Sequence, residues 1–494
     1  MKAFWPSIAC LTASAGAQVA SVNAEALRPF FDLAIRARVD VVGIGDSNQL
    51  QRSNGWDQGW HKALDERFGL YATGLVSWGE GQGLGSGQGY RYSALSSAGG
   101  GFSYTGAPPE AAAFLDSATS LLSPHGYLHV PAGASVPGTA LAGGLFEPGC
   151  PIDIASPLRL HFSYGRFAGT GGESFQPLCR YEGFPFETIL TGPVLATRSG
   201  HAGFELAYAS LDVSPGPRDR PISLRAASRT STLVGPFIAY HLRAENLSRP
   251  RGSALSSLYA LGSKSSNDMA RAVLASSDAT LTHYFDSLRR LQGPSKAVLV
   301  RINTGLNDRT ESRPSVRLGL TPGNSAAAYQ DNLLAIIERL RAIWTLNGWP
   351  QEELHFLLTA SHPVAEPDEA SLRSYRQACD QLALSQPRTA TVRLDVITSA
   401  SEMIVNRWYQ ANNTDRNHLT EAAYDALASR ELTTLLKPPC IADFNVDGGV
   451  DGADVATFFE AWQGGDFLAD VNDDGGVDGG DAGDFMRLWA AGDC

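Results

Sequence analysis

The sequence predicts an α/β protein built on a doubly wound, mainly parallel sheet, interrupted by a β-rich insert and followed by a small acidic tail. Three observations predict it. Short apolar runs alternate with helical periods, as in open parallel sheets. The stretch from 85 to 250 has almost no helical period. Composition changes abruptly after Lys437-Pro438-Pro439.

Five apolar runs read as buried strands: Val41–Ile44, Leu255–Leu261, Ala297–Ile302, Leu354–Ala360 and Val392–Ile397. The clearest helix is Ala326–Trp344, where Leu333, Leu334, Ile337, Leu340 and Ile343 recur at helical spacing. Further helices are expected from Ser266 and over Leu419–Leu436. Within 85–250, Leu158–Phe162 and Phe204–Tyr208 alternate apolar with polar between Gly- and Pro-rich turns. A structureless loop that long is incompatible with a compact domain, so a sandwich-like β insert is expected. The divisions are 1–24 (an export signal or frayed terminus), 25–84 and 251–437 (the two parts of the sheet domain), 85–250 (the insert) and 440–494 (the tail).

Charge separates the tail from the body. Residues 440–494 hold 13 Asp and Glu against Arg487, and the remainder of the chain holds 38 acidic and 38 basic groups. An evenly balanced body argues against a nucleic-acid-binding surface, which needs a basic patch. No apolar run is long enough to span a membrane. Met1-Lys2, an apolar stretch and Ala15-Gly16-Ala17 resemble a secretory signal with its cleavage site, so export is expected. Cys10 would leave with that signal. Cys440 with Cys494, and Cys150 with Cys179, are candidate disulfides, and Cys379 is expected to be a buried unpaired thiol.

Three motifs fall at one edge of the expected sheet. The first strand ends in Gly45-Asp46-Ser47, the third in Gly305-Leu306-Asn307-Asp308, and Asp415-Arg416-Asn417-His418 precedes the last helix. Each alone also reads as a turn. Their shared placement is the argument, because open parallel sheets bind ligands at the carboxyl ends of their strands. A carboxylate three residues before an imidazole can orient it and stabilise its cation. His362 follows the fourth strand and reads either as part of the site rim or as a hydrogen-bonded structural histidine. Glu352 and His355 lie at the opposite end of the sheet and read as structural.

These motifs resemble the blocks of the SGNH (GDSL-type) hydrolases. The resemblance covers roughly 24–85 and 253–437, and implies a flavodoxin-like three-layer fold. It implies Ser47 as nucleophile, His418 as general base and then acid, and Asp415 as its orienting carboxylate. The oxyanion hole would comprise the backbone N–H groups of Ser47 and Gly262 with the Asn307 amide. Gly79, Gly81 and Gly83 compete with Gly262 for that place. Asp46 and Asp308 are expected to shape loops, and no cofactor is implied for catalysis. The polar run Asn48-Gln49-Leu50-Gln51 departs from lipase-like members and resembles those that remove small acyl groups from sugars. An exported esterase acting on acetylated polysaccharide is therefore expected, with the insert as a glycan-contacting element. The alternatives are a non-catalytic glycan-binding or scaffold protein on the same fold, and a lipase or thioesterase for longer acyl groups.

In the tail, two segments repeat 27 residues apart. Asp443, Asn445, Asp447, Asp451 and Asp454, and then Asp470, Asn472, Asp474, Asp478 and Asp481, fall at positions 1, 3, 5, 9 and 12 of a calcium loop. Gly448 and Gly475 occupy the turn position, while Gly449 and Gly476 offer their carbonyls. Phe458 and Trp462 follow the first loop as Phe485 and Trp489 follow the second. Paired loops of this kind resemble a dockerin module. That resemblance implies two structural Ca2+ ions and a cohesin-type partner.

Overall fold

The computed structural model describes residues 19–46, 48, 56–77, 90–93, 128–130, 143–146, 156–166, 174–181, 188–191, 195–196, 205–214, 222–228, 237–260, 264–364, 368–411, 416–436, 441–445, 449–472 and 476–492. Its centre is a six-stranded sheet of β1 (Ser21–Val22), β2 (Arg38–Gly45), β3 (Gly252–Ala260), β4 (Val298–Asn303), β5 (Leu354–Ala360) and β6 (Thr389–Arg393). The spatial order is β1-β6-β5-β4-β2-β3, and all neighbours are parallel except β1 with β6. Without the short edge strand β1, this is the flavodoxin-like order, whose topological switch lies between β2 and β4.

Period-two alternation divides the strand residues between two cores. Leu255, Val41 and Leu299 are cross-strand neighbours on one face; Val42, Val300 and Phe356 are neighbours on the other. The first face is covered by α1 (Arg28–Arg36), α2 (Trp56–Phe68) and α7 (Glu421–Leu436), with Phe30, Leu64 and Leu427 buried there. The second is covered by α3 (Ser266–Ala275), α4 (Asp278–Arg289), α5 (Ala326–Leu346) and α6 (Asp368–Ser385), through Met269, Phe285, Ile336 and Leu382. Helices thus flank both faces. Helix α5 begins at the Ser325 cap, whose hydroxyl accepts from the Ala328 N–H, and it buries Leu333, Ile337, Leu340 and Ile343 of the periodic residues, with Leu334 half-buried beside them. Among the described residues no helix is long and apolar enough to cross a membrane.

One expected strand is placed differently. Val392–Ile397 is not a strand throughout: β6 runs over Thr389–Arg393 and Leu394–Ile397 forms a helical turn. The Arg393 guanidinium holds Asp395 at 2.8 Å and Asp380 at 2.9 Å, while Leu394 turns into the core. Those ion pairs bend the chain where its apolar residues alone read as continuous.

Within the insert, the described residues form two antiparallel sheets. One contains Leu158–Arg166, Glu205–Val213 and Phe237–Asn246; the other contains Ser174–Tyr181 and Ile222–Ser228. Val76–Ser77 joins the first of them. Arg243 carries the insert's charge into the sheet domain. It pairs with buried Asp40 of β2 and donates to the Tyr71 hydroxyl at 2.8 Å.

Buried Glu431 on α7 ties the layers together. Its carboxylate pairs with Arg301 of β4 at 2.9 Å, and accepts from the Trp60 indole N–H of α2 at 2.9 Å and from the Thr359 hydroxyl of β5. Removing one member of a buried ion pair strands the other charge, at a cost of roughly 3–5 kcal/mol. Glu431→Gln should therefore lower the unfolding free energy by about that amount. Glu431→Leu combined with Arg301→Met should recover a large part of the loss. Urea titration of wild type and both variants measures this, and equal midpoints would contradict it.

Candidate active site

The carboxyl ends of β2 and β4, together with the chain leading into α7, form one polar edge. β2 delivers Asp46, which is fully buried. Its Oδ1 accepts from the Asn48 backbone N–H at 2.9 Å and the Asn48 amide at 3.2 Å. Burial raises the Asp46 pKa to about 6, against the hydrogen bonds from Asn48. Ser47 itself lies outside the described residues, as do Gly262 and Asp415.

After β4, Gly305 adopts φ +117, a conformation that side-chain-bearing residues rarely take, and the Tyr329 hydroxyl lies 3.4 Å from where its Cβ would be. The turn presents Asn307, half-buried, with φ −91 and ψ −12. Its amide donates to the Lys264 carbonyl at 3.1 Å, in the loop between β3 and α3. An amide nitrogen carries two N–H groups, so this bond orients the side chain without exhausting its donors. Next to it, Asp308 is buried and accepts from the Ser266 backbone N–H at 3.0 Å and from the Ser266 hydroxyl. Burial raises its pKa to about 7, and the neighbouring Asp46 and Glu311 charges push in the same direction. Asp308 thus joins two loops, while Asp46 bonds to Asn48, two residues along its own chain.

His418 is half-buried in the segment before α7. Its carbonyl accepts from the Gln410 N–H at 3.1 Å, and Thr420 donates to the Trp408 carbonyl at 2.8 Å. This short antiparallel pairing holds the histidine segment against residues 408–410. Three ties then join the motif-bearing loops. The Tyr424 hydroxyl of α7 bonds to Asn48 Oδ1 and accepts from the Leu419 N–H at 3.4 Å. Arg309 donates to Asn417 Oδ1 at 3.0 Å. The His362 ring Nε2 lies 3.2 Å from the Arg416 carbonyl. A carbonyl only accepts, so that nitrogen carries the proton. Burial pushes the His362 pKa down to about 4. The described residues of the motifs thus share one sheet edge. Tyr424 and Arg309 are participants that the motifs did not point to.

The tail has its own core, Phe444, Phe458, Ala469 and Phe485, beneath α8 (Gly452–Gln463) and α9 (Gly479–Ala491). Asp454 is buried and accepts from the backbone N–H groups of Asn445 at 3.0 Å and Asp451 at 2.8 Å. Asp481 repeats this with Asn472 at 3.3 Å and Asp478 at 2.8 Å. Each loop is closed over its position 12. Among the described residues no three His, Cys, Asp or Glu side chains form a metal-binding group; Asp447 and Asp474, position 5 of each loop, lie outside them. The loop donors are all oxygen, and Asp443, Asp454, Asp470 and Asp481 are buried, which suits a hard cation. Cys379 is a buried free thiol whose pKa burial raises to about 12. Of the other cysteines, Cys10, Cys150, Cys440 and Cys494 lie outside the described residues, and the Cys179 side chain does too.

No family model matches the sequence. No curated protein matches it either. Solved structures similar to the chain include a peptidoglycan O-acetylesterase, at 10% identity and TM-score 0.46, covering 83% of this chain and 93% of that one. A family two carbohydrate esterase from Cellvibrio japonicus is 10% identical with TM-score 0.23, over 74% of this chain and 98% of that one. The CBM22-2 xylan-binding domain of Paenibacillus barcinonensis Xyn10C is 11% identical with TM-score 0.19, over 24% of this chain and 78% of that one.

The raised Asp308 pKa has a consequence for stability. Between its ordinary value of 3.8 and about 7, the folded state holds a proton on Asp308 that the unfolded state has released. Stability from this group is therefore present below 3.8 and lost as pH rises through about 7. The unfolding free energy of wild type minus that of Asp308→Asn should fall between pH 4 and pH 7.5. Urea titrations at three pH values measure it, and a flat difference would remove the assignment.

Proposed function

We propose that the chain is an exported serine esterase that removes short acyl groups, foremost acetyl, from a polysaccharide. The observation that carries this reading is the gathering of Asp46 and Asn48, Gly305–Asp308 and Arg416–His418 at the switch edge of a parallel sheet, with Tyr424 bonded to Asn48 and Leu419, and Arg309 bonded to Asn417. Such an edge is where this fold binds ligands. The residue types that the motifs bring toward this edge suit acyl transfer: a serine that follows buried Asp46 in the sequence, an imidazole, and an oriented amide.

In the proposed reaction Ser47 Oγ attacks the ester carbonyl carbon while its proton passes to His418. Asp415 orients the imidazole and stabilises its cation. The oxyanion is met by the Asn307 amide and the backbone N–H groups of Ser47 and Gly262. His418 then returns the proton to the departing sugar hydroxyl, and water repeats the sequence to free the acid and Ser47. The polar run after Ser47 supports a sugar ester over a long acyl chain.

Ser47→Ala should abolish acetate release from acetylated polysaccharide and from p-nitrophenyl acetate. Asn307→Ala should lower kcat about 10²–10³-fold, the usual cost of one oxyanion donor. A chain-length series on wild type should favour acetyl; rising activity with longer chains would move the substrate to lipid or thioester. Glycan binding without turnover would instead make this a non-catalytic binding protein.

We infer that the tail is a dockerin-like attachment module stabilised by two calcium ions, with a cohesin-type protein as partner. Asp443, Asn445, Asp447, Gly449, Asp451 and Asp454 would hold one ion, and Asp470, Asn472, Asp474, Gly476, Asp478 and Asp481 the other. Bound calcium would neutralise the carboxylates that each loop crowds together. At a free concentration a hundred times its Kd, one ion would stabilise the folded module by about 2.7 kcal/mol. Calcium titration of the chelator-treated protein should raise the far-ultraviolet helical signal and a melting transition, and chelator should reverse both. Lack of response at millimolar calcium rejects the module's metal dependence.

A further inference from the structure

The dipeptide immediately before His418 is held in an unusual way. Arg416 has φ +60, a left-handed conformation that costs a residue with a side chain of order 1 kcal/mol and persists only when its surroundings enforce it. Two side chains from different loops reach this dipeptide. His362, which follows β5, donates from Nε2 to the Arg416 carbonyl at 3.2 Å. Arg309, two residues after Asn307, donates from Nη2 to Asn417 Oδ1 at 3.0 Å. The Arg416 guanidinium meanwhile lies over the Tyr409 ring, 5.4 Å from its centre.

We propose that His362 and Arg309 are positioning residues: a two-point clamp on Arg416-Asn417 that presents the His418 imidazole to the reaction centre. This rests on the esterase reading above.

Both arms of the clamp are themselves anchored. Arg376 donates to the His362 carbonyl at 2.9 Å and to the Ser361 carbonyl at 2.9 Å, and pairs with Glu369. Arg309 donates to the Leu306 carbonyl at 2.7 Å and pairs with Asp368. The start of α6 therefore braces both. The charged or titratable groups acting on His362 are Arg376, Arg309 and His418, and burial together with these neighbours keeps its ring neutral above about pH 4. A ring that stays neutral keeps one N–H aimed at the carbonyl across the working range. It is then a fixed donor, and the proton chemistry is left to His418. The clamp also couples the two halves of the proposed machinery, because Arg309 belongs to the turn that presents Asn307.

The test compares wild type, Ser47→Ala, His362→Ala, His362→Gln and Arg309→Gln with p-nitrophenyl acetate from pH 5 to 9, with circular dichroism to verify folding. His362→Ala and Arg309→Gln should lower kcat about 10- to 100-fold, as a displacement near 1 Å does, with KM changed less than about twofold. His362→Gln, whose amide can donate to the same carbonyl, should recover most of the loss. In the two damaged variants the acid limb of kcat/KM should move to lower pH, because a loosened imidazole loses its carboxylate partner. Should His362→Ala fail to fold, Arg309→Gln carries the test. Wild-type kcat in the folded variants overturns the clamp, as does a loss that Gln does not rescue and that leaves the acid limb unmoved. Turnover surviving in Ser47→Ala overturns the esterase reading instead. Wild type without turnover overturns both.

Discussion

The fold of the sheet domain depends on one buried carboxylate. Glu431 has no exposed surface, and its oxygens are met by a guanidinium from β4, an indole N–H from α2 and a hydroxyl from β5. Arg301 is equally buried and also lies 5.2 Å from the centre of the Trp60 ring. An ion taken out of water at this depth is tolerated only with its donors in place. The geometric consequence reaches the site. β4 ends in the Asn307 turn, β5 leads to His362, α2 comes after Ser47 in the sequence, and α7 follows His418. Satisfying Glu431 therefore links β4, β5, α2 and α7 to one another, and β4, β5 and α7 adjoin the Asn307, His362 and His418 segments.

Around those segments polar contacts join apolar anchors such as Leu306 and Leu419 in tying the loops. Asp46 and Asp308 are both buried and both resist ionisation. Asp46 accepts within its own stretch of chain, from Asn48, and Asp308 reaches across to Ser266 at the start of α3. Tyr424 completes the link, because burial pushes its hydroxyl well above the ordinary range and keeps it a donor near neutral pH. Hydrogen bonds are directional and lose strength quickly off-axis, so a network of them holds loop positions more narrowly than a greasy contact would. Narrow positioning is what the proposed oxyanion site would require, since such donors act only when aimed in advance.

What the sequence disclosed follows from the range of the forces involved. The strands were readable because each buried run is local: β5 occupies Leu354–Ala360, the span its apolar residues mark. The motif loops were readable because each is a few residues long and sits at the end of a strand or just before a helix. Val392–Ile397 misled because apolar character continues past the point where Arg393 turns the chain onto Asp395 and Asp380. Tyr424, Arg309 and Glu431 left no local trace. Tyr424 meets Asn48 across 376 positions, and Arg309 meets Asn417 across 108. A tyrosine or arginine in a helix or turn reads as ordinary core or surface until its partner is known. His362 carried one signal, its place after a strand, and that did not distinguish a rim residue from a brace.

The tail obeys a different logic, that of a repeat folded against itself. Phe458 and Phe485, 27 positions apart, stack at 4.0 Å with an interplanar angle of 4°. Trp462 donates to the Asp478 carbonyl at 2.5 Å, and Trp489 donates to the Asp451 carbonyl at 2.8 Å. Each half therefore caps the loop of the other, at the residue that also caps the following helix. Neither half can bury its phenylalanine or satisfy its indole alone, so the two loops fold as one unit. That unit is not isolated from the body. Asp466, between the halves, pairs with Arg67 at the end of α2, and Leu468 packs against the core beneath α7. The contact falls on the two helices that flank the proposed Ser47 and His418 segments. A module whose halves order each other, seated on those helices, shares its folding free energy with the scaffold of the site.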